Sequence, residues 1–159
     1  MNHARNTFTN TCTSTPTTRR RRNRCALALL VLLLGAVSIG CAPEQIELQQ
    51  LVNSEREDAG LPILLPSPHA SAKAQSWAEE LAAGETLRHS NLAENMPAGF
   101  RKIGENVGRG PDIGRIHQAF MDSEGHRANV LDPEYNWIGT GYARSSTGAV
   151  YVAVVFARY

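Results

Sequence analysis

His89, Glu105 and His126 are the residues of this sequence whose types best suit chemistry. They stand in three small polar clusters, His89-Ser90, Gly104-Glu105-Asn106 and Ser123-Glu124-Gly125-His126-Arg127, within otherwise apolar or glycine-rich sequence. Neutral imidazole nitrogens and a carboxylate are ligands for a divalent metal such as zinc, and the same groups serve as general acid or base. The residues alone leave both roles open. Separations of 16 and 21 positions exclude a shared helix face, where neighbours lie three or four apart. Only a fold that brings the chain back to one place twice can join them.

The flanking elements are legible from periodicity. Ile46, Leu48, Leu51, Val52 and Ala59 recur at helical spacing over 43–60, with Gly60 placed to end the helix. Pro62 and Pro66 prevent its continuation, and Ser67-Pro68 offers an N-cap and a first-turn proline. A second helix carries Ala70, Ala74, Trp77, Ala78 and Leu81 on one face and ends at Gly84; so narrow an alanine stripe predicts close packing against another element. Residues 86–111, with Pro97, Gly99, Gly104, Gly108, Gly110 and Pro111, read as one long loop, a kind of segment that is often functional. Asp112 caps a third helix built on Ile113, Ile116 and Phe120, and 123–131 form a short helical turn halted by Asp132-Pro133. Two strands, 137–144 and 150–159, close the chain through a hairpin loop at 145–148. The last strand is apolar on both faces, so it belongs in the middle of a sheet covered by helices on each side. The expected class is α+β, a three-layer α-β-α sandwich.

Composition bounds the partners. Residues 1–40 hold six of the 16 Lys and Arg and none of the 15 Asp and Glu, which leaves a net charge of −5 on the remainder. An acidic domain lacks the clustered cations that phosphate contact needs, so nucleic acid is not an expected partner. The basic stretch ending at Arg24 abuts an apolar run over 25–39, the pattern of an export signal, and the run is shorter than the roughly 20 residues of a spanning helix. Ser38-Ile39-Gly40-Cys41 resembles the lipobox of bacterial lipoproteins, which implies lipidation of Cys41 and attachment to a membrane. The organisation expected is a signal peptide over 1–40, a short linker over 41–45 and one domain over 46–159. Cys12, Cys25 and Cys41 are the only cysteines, so that domain holds no disulfide and depends on its apolar core.

In this order the motifs resemble the CAP (SCP) superfamily of cysteine-rich secretory proteins, venom antigens and pathogenesis-related proteins, in its bacterial, disulfide-free branch. The matching pieces are Val52-Asn53-Ser54-Glu55-Arg56 with Gly60-Leu61-Pro62, then His89-Ser90, Gly104-Glu105-Asn106-Val107, and Ser123 through Leu131. Ile138-Gly139-Thr140-Gly141 and Val154-Val155-Phe156-Ala157-Arg158 complete the series, which covers about 44–159. Six motifs in order are far more specific than any one of them. The resemblance implies an α-β-α sandwich with a small antiparallel sheet and a surface cleft gathering His89, Glu105 and His126. A second acid completes this set in many eukaryotic relatives; its position aligns with Ser123, and Glu124 adjoins it.

The resemblance names several family activities, among them binding of lipids, binding of divalent metal in the cleft, and occasional proteolysis, so fold alone dictates none here. The expected function is an extracytoplasmic binding module, not primarily an enzyme. Its cleft, with Ser123 and Glu124 at its edge, would take a metal ion, a small amphiphile or a cell-wall-derived fragment. A hydrolase using one histidine as base, with or without metal-activated water, is the first alternative. A structural lipoprotein whose polar cluster only ties loops together is the second. Asn106 and Asn129 are expected to bridge backbone segments, and Arg127 to pair with a nearby acid.

Overall fold

The computed structural model describes residues 42–159. The expected signal peptide over 1–40 and the expected lipidation of Cys41 lie outside the described residues. Four helices, α1 (Pro43–Asp58), α2 (Pro68–Gly84), α3 (Ile113–Asp122) and α4 (Glu124–Val130), surround a sheet of four strands, β1 (Leu65–Pro66), β2 (Lys102–Gly110), β3 (Trp137–Arg144) and β4 (Val150–Arg158). The strand order is β1-β3-β4-β2. β4 is thus interior and pairs antiparallel with both β2 and β3. The expected caps form: Ser67 Oγ accepts from Ala70 N, and Asp112 Oδ1 accepts from Arg115 N at 2.8 Å.

β4 is apolar on both faces because helices cover both. Val150, Val152, Val154 and Phe156 pack with Leu48 and Val52 of α1, Ile116 and Phe120 of α3, and Val130 of α4. Tyr151, Ala153 and Val155 pack with Ala70, Ala74, Ala78 and Leu81 of α2. Each fully buried aliphatic side chain contributes about 1.5–3 kcal/mol of transfer free energy, so β4 anchors both layers.

The two layers meet the sheet differently. A Cβ on Gly139 would lie 2.0 Å from the Ala70 carbonyl carbon, and one on Gly141 would lie 2.1 Å from the Ala74 carbonyl oxygen. The α2 backbone therefore rests directly on β3, which is the close packing that the alanine stripe predicts.

Three expectations need correction. The segment read as a continuous loop contains the nine-residue strand β2, in antiparallel register with β4 from Lys102↔Arg158 to Gly110↔Val150. Its glycines argue against a strand by propensity, but on one face they make room for neighbours: a Cβ on Gly108 would lie 2.4 Å from Ile116 Cγ2. The sheet is not wholly antiparallel, since β1 pairs parallel with β3 through Leu65↔Trp137 and Pro66↔Ile138. Asn53 sets that edge by bonding both the N–H and the C=O of Leu64. Finally, Ile46 is exposed, whereas the buried stripe of α1 runs Gln45, Leu48, Val52 and Arg56.

Candidate functional site

β2 is an edge strand, and its alternation sends two adjacent polar residues to opposite faces. Glu105 stands opposite Val155, on the α2 face, and Asn106 opposite Val154, on the face of α1, α3 and α4. Glu105 is 3% exposed. Its Oε1 accepts from His89 Nδ1 at 2.8 Å and from Ser90 N at 2.9 Å, while Oε2 is buried with no partner among the described residues. In the neutral imidazole, a carboxylate that accepts from Nδ1 fixes the tautomer and puts the lone pair on Nε2.

Asn106 does the corresponding work on the other face. Its Nδ2 donates to the carbonyl of His126 at 2.9 Å, and its Oδ1 accepts from Asn129 Nδ2 at 2.9 Å. α4 is thus bonded to the strand at the residue next to Glu105, as a bridging asparagine was expected to do. The His126 ring tilts against Phe120 with centroids 5.0 Å apart. Burial, and then repulsion from His89, hold its pKa below the ordinary imidazole range. His126 is therefore a neutral imidazole at neutral pH, and the two rings are near enough for their charges to interact.

α2 positions the segment that carries His89. Trp77 Nε1 donates to the Arg88 carbonyl at 3.1 Å, and the Arg88 guanidinium lies 4.7 Å from the Trp77 ring while pairing with Glu80. Beyond His89, the Lys73 ammonium donates to the carbonyls of Asn91 and Glu94. The His89 side chain remains 61% exposed on this strap.

The structure thus joins His89 directly to Glu105 and brings His126 within range of a charge interaction with His89. It does not join Ser123 or Glu124 to them. Ser123 is the junction of α3 and α4, its side chain caps neither helix, and Glu124 is exposed in the first turn of α4. Neither makes a side-chain hydrogen bond among the described residues. Arg127 is exposed and has no ion pair among the described residues, contrary to the expected one.

Arg56 was missed as a supporting residue. Fully buried, it donates from Nε to Pro62 O and from Nη1 to Val130 O and Asp132 O, at 2.8–2.9 Å, closing the end of α4 onto α1. Burial lowers its pKa, against the opposing pull of Asp132. Its signal was spacing, since Arg56 continues the stripe of Leu48 and Val52 at the next i+4 position.

The donor types fit a divalent ion: a buried carboxylate oxygen lacking a partner and two imidazoles with nitrogen lone pairs. Among the described residues, no three His, Cys, Asp or Glu side chains are arranged to hold an ion by themselves. No described helix is long and apolar enough to cross a membrane.

Comparison with known proteins gives a consistent picture. Residues 49–156 match the family described as CAP, the cysteine-rich secretory protein family. YkwD of Bacillus subtilis (strain 168) is 28% identical over an aligned length of 107, covering 62% of this chain and 42% of that one. The match therefore spans less than half of that relative. Among solved structures, an outer surface protein of Borrelia burgdorferi superposes with a TM-score of 0.65 at 17% identity, covering 71% of this chain and 90% of that one. An extracellular SCP-domain protein of Bacillus anthracis str. Ames gives 0.61 at 21% identity, covering 73% and 40%. NaASP2, solved with Zn²⁺, gives 0.57 at 11% identity, covering 75% and 82%. At these identities the likeness establishes the fold.

Proposed function

This chain belongs to the CAP, or cysteine-rich secretory protein, family, and on that premise we propose that it is an extracytoplasmic binding module. Its cleft takes a divalent cation such as Zn²⁺ together with a small ligand at Glu105, His89 and His126. The observation that carries this reading is Glu105 Oε2, a buried carboxylate oxygen with no partner among the described residues. Such an atom is costly to leave bare, and a cation or a ligand donor completes it. The imidazoles of His89 and His126 add nitrogen donors of the type a divalent ion takes. Because no three His, Cys, Asp or Glu side chains among the described residues close around an ion by themselves, the bound ion takes its remaining positions from ligand or solvent. NaASP2, which shares the fold, was solved with Zn²⁺.

Binding without turnover is the function these residues support. Glu105 orients His89 as a carboxylate orients a general base, and this favours hydrolysis as the second reading. No serine stands in hydrogen-bond contact with either histidine side chain among the described residues, so a hydrolase here would use water. Export and anchoring through a lipid on Cys41 complete the proposal. The mass of the mature protein from cells tests the anchor, and absence of a diacylglycerol-modified Cys41 sinks it.

Calorimetric titration of Zn²⁺ into the protein tests the cleft, beside His89→Ala and His126→Ala variants shown to be folded. Stoichiometric binding in the parent that both variants lose is the expected result. No heat in the parent, with variants that are merely less stable, would reduce the cluster to a structural tie.

A further inference from the structure

A cavity of about 310 Å³ lies between α2 and the segment 90–95, sharing with the cleft only Ser90, whose N–H bonds Glu105. Its floor is Lys73, 7% exposed, whose ammonium donates to Asn91 O at 2.7 Å and Glu94 O at 3.0 Å. One of its three N–H groups is left over. Ser90 Oγ is buried and has no partner among the described residues. Trp77 gives the cavity an apolar wall, and Ser76, Glu80 and Asn95 give it a polar rim.

This lining selects by exclusion. An anion meets the carboxylate of Glu94, while the Glu80 carboxylate is already held by Arg88 and the one ammonium is shared between two carbonyls. A cation meets that ammonium at the floor. An acyl chain meets a polar rim that it leaves unpaired. A neutral molecule that both donates and accepts around its edge, with one apolar face, satisfies every wall. The volume is near the lower end of ligand pockets, about 300–1,000 Å³, which suits one ring and not a polymer or a lipid tail.

We propose that this cavity is a second binding site, distinct from the histidine cleft, for one neutral pyranose ring. Ring hydroxyls pair with Lys73 and Ser90, and the apolar ring face lies against Trp77.

The test titrates the full chain with glucose, mannose and N-acetylglucosamine. Binding is read by saturation-transfer NMR in the unsubstituted protein and by fluorescence in Trp137→Phe, which leaves Trp77 as the only tryptophan of the two. At least one sugar is expected to saturate at millimolar concentration. Ala72→Leu and Ser76→Leu, at exposed α2 positions lining the cavity, fill it and weaken that binding by about tenfold or more. His126→Ala leaves it unchanged. No saturable response to any of the three sugars overturns the proposal, as does equal binding by both filled variants. Loss in His126→Ala with retention in Ser76→Leu would move the sugar to the cleft and overturn it equally.

Discussion

The two faces of the sheet solve the same packing problem with opposite materials, and the two histidines follow that difference. On the α2 face, Ala70 and Ala74 meet Gly139 and Gly141, so backbone lies on backbone and little side-chain volume lies between. On the other face, Leu48, Ile116, Phe120 and Val130 interdigitate with the valines of β4. On the α2 face the histidine, His89, stays outside on a strap, its side chain 61% exposed. The layer of large side chains draws His126 in against Phe120. Glu105 and Asn106 are the neighbours on β2 that reach one to each side.

This contrast breaks first under insertion of a single methyl group. Gly141→Ala places a Cβ 2.1 Å from a backbone oxygen of α2, which moves only if the helix does. The expected cost is 3 kcal/mol or more (~), at or beyond the upper end for overpacking, read as the shift of the urea unfolding midpoint. Gly108→Ala places its Cβ 2.4 Å from Ile116 Cγ2, the end of a side chain that can turn away. Its expected cost is about 1–2 kcal/mol. Equal costs for the two variants would show that the α2 contact is no more rigid than the other.

The same two materials explain what was readable in the sequence. The helices announced themselves through caps at Ser67 and Asp112 and through apolar spacing, and the two-sided apolarity of 150–157 identified the central strand. β2 did not announce itself. Its face toward α3 reads Gly104, Asn106, Gly108, Gly110 because Ile116, Phe120 and Tyr135 fill the space that side chains would take, and that reason lies elsewhere in the chain. His89, Glu105 and His126 were picked out by residue type and motif order. Their contacts were not, because the strap depends on Trp77 and Lys73 and the approach of α4 depends on Asn106 and Asn129. Arg56 was hidden by its charge, since a fully buried arginine runs against the usual preference and only its three carbonyl partners justify it. Ser123 stands where the resemblance aligns a second acid and Glu124 adjoins it, and alignment says nothing about which way a helix junction turns.

The smallest effect sharpens the contrast between the histidines themselves. His126 has its pKa lowered in the folded protein by burial and by His89, whereas the unfolded chain takes up its proton at the ordinary value of about 6.5. The sign follows from that order. Above about pH 6.5 His126 is neutral in both states and the fold bears no penalty; as pH falls below it, the unfolded state binds the proton first, and stability is lost until the folded pKa is passed. Carboxylates titrate over part of the same range, so the readout is a difference. Urea midpoints of the parent and of His126→Gln, measured in chelator from about pH 7.5 to pH 5, should diverge, with the parent falling more steeply. If instead the His126→Gln profile ran parallel to that of the parent, the ring would not be buried against Phe120 as the structure has it.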